Sequence, residues 1–142
     1  MEQAVSGIRF PGIRTQIVSA IVSLSDREYQ ERVWIRRELP RPGYYDEFDL
    51  AVHSLFDDSP ILPSPAPGSV GELIYADEEV LLARLGEVLS PLIDQLGDVP
   101  DAEYLNSSQW PEVVRRAQEA REAMERNDGV GVAEGVDEIG FS

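Results

Sequence analysis

His53 is the single histidine of the chain, so imidazole acid–base chemistry near neutral pH must use it. Asp49 precedes it by four residues, about one helical turn, a spacing at which a carboxylate can orient a ring nitrogen. Asp57 and Asp58 follow. Together these four residues are the candidate constellation of a small hydrolase or metal-dependent enzyme, which would need them to converge on one pocket. Nothing in the sequence marks a partner nucleophile. An isolated histidine between apolar positions on a helix is ordinarily a packing or capping residue, and that reading is preferred to catalysis.

Other site chemistries fare no better. The chain holds no cysteine, which removes thiol nucleophiles, thiolate zinc sites and any disulfide framework and fits a reducing cytoplasm. Were residues 46–58 one helix, the carboxylates at its two ends would stand about 16 Å apart, too far for one metal ion. Asp57-Asp58-Ser59-Pro60 lacks the alternating oxygen ligands and central glycine of a calcium loop. Gly68-Ser69-Val70-Gly71 has neither the lysine nor the spacing of a phosphate cradle. No cofactor is implied. Asn106-Ser107-Ser108 matches a glycosylation triplet, but it reads better as a helix cap.

Charge is the outlying property. Residues 43–103 carry fourteen carboxylates and one cation, Arg84, within a chain of net charge −15 that contains twelve arginines and no lysine. Residues 1–42 hold seven arginines against five carboxylates. A surface this acidic repels nucleic acid and anionic membranes and favours cationic partners. Arg36, Arg37 and Arg41 beside Trp34 and Tyr44 read as an intramolecular clamp on the acidic middle. Asp49, Asp57 and Asp58 lie among the aromatics Tyr44, Tyr45 and Phe56, and these six residues are the predicted partner-binding patch. Part of the remaining acidity has a local reason, since Asp46, Glu47 and Asp77 to Glu79 fall at expected helix starts, where the macrodipole favours anions.

Elements must position these groups. A chain of 142 residues has the length of one ordinary domain. Ile13, Ile17, Ile21 and Leu24 recur at helical spacing and predict a helix over 12–24. The faint likeness of this run to a signal peptide is better explained by the amphipathic helix. Ser25 and Glu28 have capping-box spacing and predict a second helix toward Glu38, stopped by Pro40 and Pro42. Residues 44–58 fit a helix, though Phe48, Leu50, Val52 and Phe56 also alternate as a strand would; the helix is favoured. Four prolines over 59–69 predict an exposed loop. A broad stripe from Val80 to Leu96 predicts a central helix, kinked at Pro91 or restarted there with Ser90 as cap, and ended by Gly97. One helical turn is expected at Asp101–Leu105. A last helix follows with Trp110, Val113, Val114, Ala117, Ala120 and Met124 on its apolar face. The expected fold is all-α, a compact bundle of about five helices over residues 1–126 with a flexible acidic tail over 127–142. The alternative is α+β with a short hairpin near 48–56 and 70–75.

Asp26 to Trp34, Pro42 to Asp46, Val52 to Asp58, and Asp101 to Leu105 before Trp110-Pro111 together resemble a family of small acidic proteins of actinomycete bacteria with no established activity. The resemblance covers roughly residues 8–126. It implies a cytoplasmic bacterial setting and carries over no functional residue. The function expected is therefore that of a non-enzymatic acidic protein docking a basic protein partner, as an immunity or antitoxin protein docks a cationic toxin. The alternative is the His53 enzyme, and a third reading is a homo-oligomer joined around Trp34.

Overall fold

A computed structural model describes residues 8–43 and 46–129. The helices are α1 Pro11–Leu24, α2 Arg27–Tyr29 continuing as a π-helical segment Gln30–Ile35, α3 Phe48–Val52 continuing as a π-helical segment His53–Asp58, α4 Ala76–Leu96, α5 Asp101–Leu105 and α6 Trp110–Asp128. No strand occurs among the described residues, and Val70 and Ile74 form only an isolated bridge. The all-α expectation holds, while the hairpin alternative fails because residues 48–58 are helical.

Proline opens α1, where its missing amide costs nothing. Ile17, Ile21 and Leu24 face the core as their spacing predicts, but Ile13 stays 37% exposed, and the inward position on that turn belongs to Arg14. The junction to α2 departs from the capping box expected at Ser25. The Ser25 hydroxyl donates back to the Val22 carbonyl, and the Asp26 carboxylate accepts from the Tyr29 amide as the true N-cap. α2 then ends at Ile35, before the prolines. Arg37 takes a left-handed conformation at φ 59°, which the helix cannot continue through.

Both π-helical segments show the five-residue bond, Arg36 N–H to the Glu31 carbonyl and Ser59 N–H to the Ser54 carbonyl. An extra residue in a turn rotates the side chains that follow relative to an α-helix.

The proline-rich stretch is less exposed than expected. Ile61 and Leu62 are buried, and the Pro63 carbonyl lies against Gly86 of α4, where a Cβ would sit 1.8 Å from that oxygen. Only glycine permits this crossing. α4 itself runs unbroken through Pro91, so the expected restart at Ser90 does not occur. Pro91 and Glu87 are both exposed, so water can serve the Glu87 carbonyl that the proline leaves without an amide. Gly97, at φ 66°, ends the helix.

α6 buries Trp110, Val113, Ala117, Ala120 and Met124 as its periodicity predicts. It continues to Asp128, two residues past its expected end, and Gly129 closes it in the left-handed region. The predicted acidic tail otherwise lies outside the described residues. α6 packs against α4 and α1, and α1 also packs against α3. Trp34, Phe48, Tyr104 and Trp110 cluster at the centre, with ring centroids 4.4 to 6.4 Å apart. Trp34 is thus a core residue.

Candidate functional site

The predicted constellation resolves into surface groups on α3. His53 Nδ1 lies 2.7 Å from the Asp57 carboxylate, and the two side chains are 64% and 63% exposed. The partner of the imidazole is therefore Asp57, one turn after it, and not Asp49, one turn before. Asp49 and Asp58 are exposed at opposite ends of α3, about 13 Å apart at ~1.5 Å per residue. Phe56 is half-buried and packs on the core. Tyr44 and Tyr45, the other members of the predicted patch, lie outside the described residues. Among the described residues no group of three or more potential ligands could hold a metal ion.

Asp46, read from sequence as a helix-start residue, is instead a junction. Its Oδ2 accepts from the Ser23 hydroxyl at 3.0 Å, the Tyr29 hydroxyl at 2.7 Å and the Trp34 indole N–H at 3.1 Å. One carboxylate oxygen thereby ties α1, both halves of α2 and the start of α3 together. The expected arginine clamp is present in part. Arg37 donates to the Asp46 carbonyl at 3.4 Å and stands 4.0 Å from Glu47, while Arg36 pairs with Glu38 outside the acidic middle.

Near the start of α3 the acidic groups crowd one another. Burial raises the pKa of Asp101 above its ordinary 3.8, the Phe48 amide donating to it works the other way, and the charges of Glu47 and Asp49 add to the rise. The pKa of Tyr104 is raised by burial and then by Asp49, Asp98 and Asp101. Asp49 thus lies near enough to Asp101 and Tyr104 for its charge to act on both, an arrangement that sequence spacing does not reveal.

Two buried polar links were equally hidden. Arg14 grips Glu78 with both terminal guanidinium nitrogens at 2.8 and 2.7 Å, reaches Asp128 through Nε at 3.0 Å and the Leu73 carbonyl at 3.1 Å, and lies over the Tyr75 ring at 4.9 Å. Glu78 also accepts from the Tyr75 amide and from Asn127. Burial pulls the Arg14 pKa down, and its bonds to Glu78 and the charges of Glu78 and Asp128 more than reverse this, so it is raised overall. Fully buried Gln30 donates to the Ser23 carbonyl at 2.8 Å and accepts from the Trp110 indole at 2.9 Å. The only sequence signal for either link was an arginine and a glutamine at otherwise apolar helix positions.

No helix among the described residues is long and apolar enough to cross a membrane. No curated protein and no solved structure matches the chain. A family model described as "Domain of unknown function (DUF7945)" matches residues 8–131, and the chain belongs to that family.

Proposed function

We propose that the protein is a non-enzymatic binding protein whose acidic surface docks a basic protein, with inhibition of a cationic toxin, as by an immunity or antitoxin protein, as its specific form. The observation that carries this reading is the unequal use of charge. The arginines are largely engaged within the fold: Arg9 with Glu72, Arg27 with Glu31, Arg36 with Glu38, and Arg115, Arg116 and Arg121 with glutamates of α6. Asp49, Asp58, Glu87, Asp94, Asp98 and Glu103 are exposed and have no ion pair among the described residues. Complementary potential of this kind speeds encounter and excludes wrong partners.

The docking patch in this reading centres on Asp49, Asp57 and Asp58 with half-buried Phe56, and takes in Tyr44 and Tyr45 of the sequence-predicted set, which lie outside the described residues. A cytoplasmic location accompanies it, with neither nucleic acid nor membrane as a partner. The enzyme alternative gains no support from an exposed His53–Asp57 pair. The test is capture from the native host at low ionic strength, followed by direct titration of the captured protein against the wild type and an Asp49→Asn/Asp57→Asn/Asp58→Asn variant. A basic protein is expected, with affinity that falls with salt and falls in the variant. Recovery of no basic protein, or an affinity indifferent to both salt and variant, would remove the reading's main support.

A further inference from the structure

α1 and α3 flank a groove of about 410 Å³ lined by Gln16, Ser19 and Ser23 of α1, by Leu50 and Ser54 of α3, and by Asp46. The volume lies within the range of small-ligand sites. Its polar groups are not used up by the fold. Asp46 spends Oδ2 on all three of its internal donors, and Oδ1 accepts no hydrogen bond among the described residues. The Ser19 and Ser54 hydroxyls and the Gln16 amide likewise make none among the described residues.

The charge is also left open. The three donors to Asp46 are neutral, and Arg37 bonds to its main-chain carbonyl at 3.4 Å, not to its carboxylate. The result is an ionisable group fixed in position by neutral hydrogen bonds and, among the described residues, without a counter-ion at its free oxygen. Such preorganisation lowers the entropic cost of binding a cation. A hard divalent metal would require several oxygen ligands, usually more than one of them charged. Asp46 is the single carboxylate lining the groove among the described residues. A cation that brings its own N–H donors matches one carboxylate ringed by hydroxyl and amide acceptors. Leu50, 40% exposed, offers an apolar flank for a hydrocarbon stem.

We propose that this groove is a binding site for a primary alkylammonium group, with Asp46 as counter-ion, Ser19, Ser54 and Gln16 as hydrogen-bond acceptors, and Leu50 against the alkyl chain. The site is independent of the acidic patch at the ends of α3, because it depends on one positioned carboxylate and not on the summed surface charge. Two sources present this chemistry, a lysine side chain and a free alkylamine.

The test is titration of isotope-labelled protein, followed by amide and indole NMR signals, with lysine blocked at both main-chain ends, with putrescine, and with blocked norleucine as the uncharged analogue. Saturable shifts at Ser19, Ser54 and the Trp34 indole are expected with the two amines and not with norleucine. Tighter binding of blocked lysine identifies a protein side chain as the source, and tighter binding of putrescine identifies a free amine. Asp46→Asn retains an oxygen for the three internal donors but replaces the free oxygen by an NH2 group. It is expected to weaken amine binding about tenfold or more, the effect of losing one charge-assisted hydrogen bond. Ser54→Leu, which fills the groove from the α3 side, supplies the second variant should Asp46→Asn fold poorly, and is also expected to abolish binding. Absence of saturable shifts with either amine, equal binding of norleucine, or unchanged affinity in a folded variant would overturn the proposal.

Discussion

Arg14 and Glu78, 64 residues apart in sequence, form a two-pronged ion pair whose side chains are 6% and 0% exposed. Removing Arg14 leaves the buried Glu78 carboxylate with neutral donors only, and removing Glu78 leaves Arg14 with Asp128 as its one carboxylate partner among the described residues. Arg14→Met and Glu78→Gln are each expected to cost about 3–5 kcal/mol, with the double variant losing clearly less than the sum. A urea-unfolding double-mutant cycle measures the coupling. A coupling near zero would place this pair with ordinary surface pairs.

Gly86→Ala is expected to destabilise by about 3 kcal/mol, the upper part of the range for overpacking, because its Cβ would meet the Pro63 main chain and no flexible side chain could yield. The denaturation midpoint gives the answer. Little change would mean that the 59–69 segment lifts off α4 at small cost.

Gln30→Leu would orphan both the Ser23 carbonyl and the Trp110 indole N–H in the core. At about 1–3 kcal/mol for each unsatisfied buried group, a loss on the order of 2–6 kcal/mol is expected. The emission of Trp110 should shift with it.

Asp101 sets a pH dependence whose sign follows from its raised pKa. The folded state holds this proton more tightly than the unfolded state does, so the group favours folding at low pH, and that contribution is lost as pH rises from the ordinary 3.8 through the folded value. Asp101→Asn keeps an oxygen for the Phe48 amide. Stability at neutral pH should therefore be unchanged or improved, and the stability–pH curve should be flatter in the mildly acidic range. A clear loss at neutral pH would show that the charge itself is needed at the start of α5.

His53→Ala should leave the unfolding midpoint unchanged within error, since an exposed pair with Asp57 contributes little. A marked loss of stability, measured by thermal melting, would mean that the imidazole has a role beyond this pair.

What could be read in advance divides along a physical line. Ile17, Ile21 and Leu24, the stripe of α4, and Trp110 to Met124 announce themselves because a helix facing a core repeats its apolar positions, and local spacing carries that information. The choice of helix over strand for residues 48–58 held for the same reason. Links between distant polar residues have no such periodicity. Arg14 with Glu78, Gln30 with Trp110, and Asp46 with Ser23, Tyr29 and Trp34 exist only once the helices are packed. At the α1–α2 junction two side chains competed for the cap. Asp26 prevailed, while the Ser25 hydroxyl turned back to Val22. The effect of proline depends on which side of the element faces water, so α4 runs unbroken through exposed Pro91 while Ile61 and Leu62 of the proline-rich stretch are buried.

The reach of Arg14 to Asp128 places the beginning of α1 beside the end of α6, and Ile8, Pro11 and Asp128 line one shared cavity. Entry and exit of the described chain therefore lie at the same pole. The topology is close to a closed ring, so a circular permutant that joins residue 129 to residue 8 by a short linker and opens at the exposed Asp98 turn should retain the fold.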